Sequence, residues 1–407
     1  MIIKLKFSIL LTLFLISNII STMVMLIPQL AIFSLTVNFI CIIYLTIYLF
    51  NKIPRINNKK PFLYVYSIWV ILMIINGLSL EIRLFGRLFS NPEFAIILFF
   101  PLLIYVPFTK NFFSKLIKFI LIFNFIYLVM IVIFYFKFTN DVNIYEFISK
   151  RFAFANSFLL LIFGFLSRKK KIICLIIFFI SILFALIFAR RAQLFYIVMS
   201  LLFAWGLYVF YFKKTYILIN ALLGILLFCS IFIFNVDKMF ESNFSILINR
   251  INDDTRSTTE SDFSRDMSTI DWIIGKGING RFKTSQLIDL DYEGDSRSLE
   301  DKQYRYGIET GYLNIILKGG IIKLTLDLLI IGYAIFMGLF FGRNLMVKAA
   351  VFFLLLYLST LYPENANSFT LRYLLVWISV AICLNKKIRK LNNSQFYNQY
   401  LYDANKA

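Results

Sequence analysis

Long apolar runs separated by short polar stretches make up most of this chain. The runs are too long and too uniformly apolar to alternate as half-buried strands or to form one-sided surface helices. A run of roughly 20 apolar residues is long enough to cross a bilayer core as a helix. About twelve such spans are predicted, near 7–27, 29–50, 62–80, 93–108, 116–136, 152–167, 172–189, 192–212, 216–235, 308–342, 345–361 and 371–385. The pattern therefore predicts an all-α polytopic integral membrane protein with one large extracytoplasmic loop. On this division 1–235 is an N-terminal bundle of about nine helices, 236–307 is the loop, and 308–407 holds about three helices and a tail. Lys4 and Lys6 precede the first run as in a signal peptide. No small-residue cleavage site follows and a second span comes at once, so an uncleaved anchor is expected.

Composition narrows the class further. Of 407 residues, 60% are hydrophobic and 16% are charged, whereas soluble domains carry roughly 25% charged residues. A mean hydropathy of +0.79 excludes an ordinary soluble enzyme, a nucleic-acid binder and a disordered tail. The net charge of +20 is read through its placement, because cytoplasmic loops concentrate Lys and Arg. With the N-terminus inside, the cytoplasmic segments are 1–6, 51–61, 109–118, 168–171, 213–215, 343–348 and the tail from 386. These segments carry many Lys and Arg side chains and one acidic residue, Asp403. Both termini are therefore expected in the cytoplasm.

Histidine is absent, which removes Ser-His and Cys-His pairs and any imidazole base. Cys41, Cys174, Cys229 and Cys383 lie far apart inside apolar runs, so neither a metal cluster nor a disulfide framework is indicated. Chemistry is instead sought on the outer side. The 236–307 loop is long for a protein with otherwise short connections, and such loops are usually functional or disordered. Within it, 252–262 reads as surface loop, and Ser264–Ile274 as one amphipathic helix with Met267, Ile270 and Ile274 on one side.

Three outer constellations stand out. Arg190 and Arg191 lie in a minimal turn between two spans, against the charge bias of that side. They either snorkel to headgroups or form a guanidinium fork for phosphate oxygens. Arg265 precedes Gly275-Lys276-Gly277-Ile278-Asn279-Gly280-Arg281, where Gly275 and Gly277 could bring backbone N–H groups close to an anion or simply form a turn. Glu309-Thr310-Gly311-Tyr312 marks the return into the membrane. There Glu309 is either a general base or an acid favoured at a helix start, with Tyr312 beside it.

In their order and membrane side these features resemble the O-antigen polymerases, which share a superfamily of membrane glycosyltransferases with the O-antigen ligases. The resemblance rests chiefly on 190–191, 265–281 and 309–322. It implies a bacterial inner-membrane enzyme that polymerises undecaprenyl-diphosphate-linked oligosaccharide repeat units on the outer face, for O-antigen or capsular polysaccharide. Glu309, Arg191 and Arg265 would be catalytic; Arg190, Gly275, Gly277, Arg281 and Tyr312 would bind substrate. No metal or cofactor is expected, because arginines would neutralise the leaving diphosphate. The implied partners are lipid-linked donor and acceptor glycans, membrane lipid, and a chain-length regulator and flippase of the same pathway, with no nucleic acid. The ligase branch carries a functional histidine near the position of Glu309, so a chain without histidine favours polymerisation.

A flippase for the same lipid-linked glycan is the alternative. It would place ionisable residues and broken helices near mid-membrane. Here the spans are nearly free of charge apart from Lys323 and Asp327, four apart and expected to pair on one helical face. Reporter fusions after Lys60, Lys171, Lys214 and Lys390 should read cytoplasmic and one within 240–300 should read external. A cytoplasmic reading from the loop would remove the polymerase expectation.

Overall fold

The computed structural model describes residues 7–24, 27–50, 61–77, 100–105, 108–109, 112–140, 142–188, 190–212, 255–285, 303–365 and 369–401. The chain is mostly helical. Its first part holds α1 (Phe7–Val24), α2 (Ala31–Phe50), α3 (Pro61–Asn76), α4 (Phe112–Asn140), α5 (Val142–Ile148), α6 (Asn156–Leu161), α7 (Arg168–Ile187) and α8 (Arg191–Phe212). The predicted loop supplies α9 (Thr255–Asp266) and α10 (Thr269–Ile274). It also supplies a two-stranded antiparallel pair, β1 (Phe282–Lys283) with β2 (Tyr304–Arg305), a small departure from an all-α fold. Then follow α11 (Gly311–Phe341), α12 (Leu345–Thr360), α13 (Leu371–Leu384), α14 (Lys386–Lys390) and α15 (Asn393–Tyr400).

Among the described residues four helices are long and apolar enough to cross a membrane: Phe112–Tyr135, Arg168–Ile187, Arg191–Val209 and Gly311–Phe341. Shorter apolar helices cover Ile9–Val24, Ile32–Tyr48, Leu63–Asn76, Leu345–Thr360 and Leu371–Leu384. The span expected at 216–235 and much of the one at 93–108 lie outside the described residues, as do 236–254 and 286–302 of the loop.

The span expected at 152–167 is not one helix. A π-helical turn at Ser149–Ala153, the six-residue α6 and a 3-10 turn at Phe163–Phe165 occupy it. The cause is polar competition inside an apolar run. Ser157 Oγ donates to the Phe154 carbonyl at 2.8 Å, and Tyr196 Oη donates to the same carbonyl at 2.7 Å. Buried Asn156 donates to the Cys174 carbonyl at 2.9 Å and accepts from Asn124 at 2.8 Å. The two bonds to the Phe154 carbonyl replace part of the helical ladder that the turn interrupts.

The predicted helix at Ser264–Ile274 is likewise divided. Ser268 caps α10 in a capping box with Asp271, each side chain bonded to the other's backbone N–H. Met267 is buried, but Ile270 and Ile274 are exposed, so the three do not share a buried face.

The centre of the structure is the α12–α13 pair. Leu371–Cys383 is buried on all sides. Around it pack Phe14 of α1 against Phe369, Phe100 against Tyr373, Tyr66 of α3 against Trp377, Phe158 of α6 against Phe353, and Phe203 of α8 against Phe352. Lipid cannot drive helices together through the hydrophobic effect, so close packing and buried polar contacts must hold them. The contact of Ser17 with Asn38 and the 3.3 Å contact of Ser21 with Ser34 join α1 to α2 in this way.

α11 is broken at Gly320, whose φ of +70° and ψ of −178° lie outside the helical region. The glycine run of the loop fills the break. Lys276 N donates to the Leu317 carbonyl at 2.8 Å, Trp69 Nε1 to the Gly319 carbonyl at 2.9 Å, and Lys318 Nζ to the Gly280 carbonyl at 2.7 Å. On its other side the run closes the end of α3. Ile278 N donates to Met73 O at 3.1 Å, and the side chains of Asn76 and Asn279 bond the Gly275 and Gly77 carbonyls. Gly275 and Gly277 have positive φ, and a Cβ on Gly277 would meet Gly77 N at 2.3 Å. Gly277→Ala should therefore lower the melting temperature in detergent, through strain of about 1–3 kcal/mol and a clash of similar size. Gly332→Ala, where a Cβ meets nothing within 4 Å, should leave it unchanged or raise it, since helical Gly is less stable than Ala by roughly 0.5–1 kcal/mol. Equal losses from both would show that the interlock contributes nothing.

Candidate functional site

A line of alternating charges runs across one end of the helices. Arg190, in the turn before α8, lies 2.7 Å from Glu146 of α5. Glu146 also pairs with Lys150 one turn along at 2.5 Å, and Lys150 lies 3.4 Å from Glu364, between α12 and α13. Glu364 meets Arg372 Nη1 at 2.7 Å, while Arg372 Nη2 donates to Thr360 Oγ1 at 2.6 Å. The Arg372 guanidinium also stacks over Tyr196, 4.2 Å from its ring centre. Arg151, buried next to Lys150, lies over Phe147 at 4.1 Å. Among the described residues Lys150, Arg190 and Arg372 thus alternate with the carboxylates Glu146 and Glu364.

The interior pair Glu364–Arg372, each 4% exposed, differs in kind from the outer pairs. Burial alone would raise the Glu364 carboxyl, but Arg372 and Lys150 beside it hold it below the usual carboxylate range. A carboxylate held this way is a structural anion and a poor proton acceptor, since it keeps its charge for its partners.

Beside this line a cavity of about 170 Å³ opens among Arg256, Thr259, Glu260, Arg305, Ile308, Glu309 and Thr310. Thr310 Oγ1 donates to Glu260, and Arg305 Nη1 lies 3.3 Å from Thr259 Oγ1. Glu309 is 70% exposed and pairs with Arg256 at 3.4 Å, a contact worth little in water. Its carboxylate is therefore accessible. The cavity and the charge line meet at one backbone junction: Gly311 N donates to the Leu361 carbonyl at 2.8 Å, and a Cβ on Gly311 would strike Glu364 O at 2.7 Å. Tyr312 stacks on Tyr362 across this junction, their rings 10° from parallel.

Of the residues singled out by sequence, Glu309 and Tyr312 flank this junction and Arg190 ends the charge line. Arg191, the first residue of α8, is exposed, as is Arg265 near the end of α9 beside Asp262. The Asp262 carboxyl is held below its ordinary range by the Ser285 N–H and hydroxyl, at 2.8 and 2.7 Å, which fasten α9 to the segment after β1. Arg281 stacks over Tyr304, 4.4 Å from the ring centre. Around Gly275 and Gly277 the amides of Gly275, Lys276, Ile278 and Gly280 are bonded to protein carbonyls. What these glycines visibly provide is close backbone packing, not a set of open amides.

Sequence reasoning passed over Glu146, Lys150, Arg151, Arg256, Glu260, Arg305 and Arg372. The Glu146–Lys150 spacing of four was a readable signal. So was Arg372 at the outer start of a span, where the positive-inside bias disfavours it. Comparison with known protein families, with curated proteins and with solved structures finds no match to this chain.

Removing one partner of a buried ion pair costs about 3–5 kcal/mol, so Glu364→Gln should melt well below the unmodified protein at neutral pH. The Glu364 carboxyl is lowered in the folded state. Its stabilisation is therefore complete above the ordinary Glu value of about 4.3 and disappears as pH falls through the lower folded value. Melting in detergent from neutral to acid pH should bring the two proteins together at low pH. A constant gap at every pH would refute the charge-based role.

Proposed function

We propose that the chain is a membrane glycosyltransferase that polymerises undecaprenyl-diphosphate-linked oligosaccharide repeat units at the outer face of the bacterial cytoplasmic membrane. The observation that carries this reading is the meeting, at one junction, of a line of fixed alternating charges with an accessible carboxylate. The acceptor hydroxyl oxygen attacks the anomeric carbon of the donor glycan. The bond from that carbon to the diphosphate oxygen breaks, and the diphosphate leaves with the electron pair. Glu309 takes the hydroxyl proton. Exposed Arg191 and Arg265 would pair with the diphosphate. Tyr312 and Arg281 offer a ring face and a guanidinium for sugar. Buried, doubly paired Glu364 is unsuited to replace Glu309, whereas Glu260, which also lines the cavity, is suited.

A second reading, a carrier that moves the same lipid-linked glycan across the membrane, draws support from α11. It is broken at Gly320, and its buried Lys323 and Asp327 pair at 2.5 Å just beyond the break. Discontinuous helices and intramembrane charges are the marks of many transporters.

Purified protein with synthetic lipid-linked repeat units separates the two. A polymerase makes longer glycan unaided, and a carrier only exchanges units between leaflets. Glu309→Gln should slow extension by about 10²–10⁴-fold with substrate binding nearly kept. Arg191→Lys and Arg265→Lys should lose roughly 30- to 1,000-fold, because an ammonium cannot reproduce the bidentate fork. Extension within a few-fold of normal in all three variants would remove these assignments, and absence of any extension by the unmodified protein would remove the polymerase reading.

A further inference from the structure

The height at which the glycine run sits follows from helix lengths. α11 has 31 residues and is broken at Gly320. The part after the break, Ile321–Phe341, reaches about 31 Å at 1.5 Å per residue, which by itself matches the roughly 30 Å of hydrocarbon in a bilayer. The break therefore falls at the edge of the hydrocarbon layer, where acyl chains meet headgroups. α3 gives a second measure of depth. Its 16 residues reach about 24 Å, short of the 30 Å hydrocarbon thickness of about the same bilayer. Its end at Asn76–Gly77 is closed by the same run that fills the break.

A backbone that contacts both points must itself reach the level of the acyl chains. A Cβ on Gly320 would lie 2.0 Å from Ile273 O, and one on Gly275 would lie 2.5 Å from Gly319 N. Irregular backbone at that depth is tolerated only where protein covers it and bonds its polar groups. Gly275, Gly277, Ile278 and Gly280 are buried, and the amides of Gly275, Lys276, Ile278 and Gly280 are bonded to carbonyls. The helix leading into the run shows the opposite character on its outer side. Ile270 is 66% exposed, and Ile273 and Ile274 are exposed beside it. Their apolar surface lies against α11 at the level where Ile321 is also exposed, followed by Leu328 and Leu329 farther down. The polar side of α10 is engaged inside the loop, where Lys276 Nζ lies 2.5 Å from Asp266 and 4.0 Å from Asp271.

We infer that residues 268–281 form a re-entrant segment, and that the Ile270, Ile273 and Ile274 face of α10 lies among the acyl chains of the leaflet on the loop's side. The occupant of this apolar face is bilayer lipid, because the face continues the surface that α11 presents to lipid. The segment enters as α10, turns at Gly275–Gly280 where protein covers it, and returns through β1. The loop is thereby anchored in the membrane and holds its charged cavity against the surface. This holds whichever reaction the cavity serves.

The test begins with the unmodified full-length protein in phosphatidylcholine–phosphatidylglycerol liposomes containing a phospholipid with a diazirine in its acyl chain. After illumination and trypsin, the 266–276 peptide between Arg265 and Lys276 should carry lipid adduct, as α11 peptides do. Nitroxides at Ile270→Cys and Ile273→Cys, with the native cysteines replaced, should be relaxed by oxygen and lose relaxation by a water-soluble nickel chelate. That pattern should match a label at Leu329→Cys and be the reverse of one at Ser264→Cys. Relaxation by the nickel chelate would overturn the inference, placing α10 in water. A label reached by neither reagent would also overturn it, showing that protein, whether this chain or a second copy, covers the face. Should the cysteine variants fail to fold, absence of adduct on the 266–276 peptide alongside adduct on α11 would overturn it alone.

Discussion

Hydrocarbon offers no partner to a backbone N–H or carbonyl, so a chain crossing it may leave the helical ladder only where other protein groups take over the lost bonds. The structure obeys this constraint at both of its interruptions. At the first, the Phe154 carbonyl accepts from Ser157 and Tyr196. At the second, the Leu317 and Gly319 carbonyls accept from Lys276 and Trp69. In each case a substitute donor, Tyr196 at the first and Lys276 and Trp69 at the second, comes from a different part of the chain. An interruption is thus also a tertiary link: the first joins the 149–161 segment to α8, and the second joins α11 to α3 and to the loop.

Charge is handled by the same rule of local compensation. Glu364 tolerates burial because Arg372, Lys150 and Thr360 surround the pair it forms. Lys323 and Asp327 tolerate it by meeting each other, with the Lys323 ammonium 4.7 Å from the centre of the Tyr66 ring. Toward the end of the bundle Arg190 and Lys150 share Glu146 in the same way.

How much was legible depended on whether a signal was local. Uniform apolar runs located α1 to α4, α7, α8 and α11 to α13, since length and hydropathy alone decide a span. The Lys323–Asp327 pair was legible because a spacing of four puts both on one helical face. Asn156 and Ser157 misled, because two polar residues in an apolar run look tolerable until one sees where their hydrogen bonds go. Ser268 and Asp271 spelled a capping box that was passed over in favour of a continuous amphipathic helix. For the site, Glu309 and Tyr312 were legible from their position at the membrane entry. The Glu146–Lys150–Glu364–Arg372 line was not, since its members are brought together only by packing of α5, α12 and α13. Gly275 and Gly277 read from sequence as an anion cradle or a turn, and the structure shows them in close backbone packing. Their neighbours, Gly319, Gly320 and Gly77, are too distant in sequence for the reason to be visible.

The central position of α12 and α13 bears on how the protein is made. Both follow α1, α3, α6 and α8 in the chain, yet those helices pack around them through Phe369, Trp377, Phe353 and Phe352. During synthesis the earlier helices enter the bilayer before their common partner exists. Their inward faces, including buried Asn124, Ser157 and Ser200, must then wait against lipid or against each other. The ribosome delivers the hub after the spokes. Assembly around the hub is thereby postponed until the α12–α13 hairpin arrives.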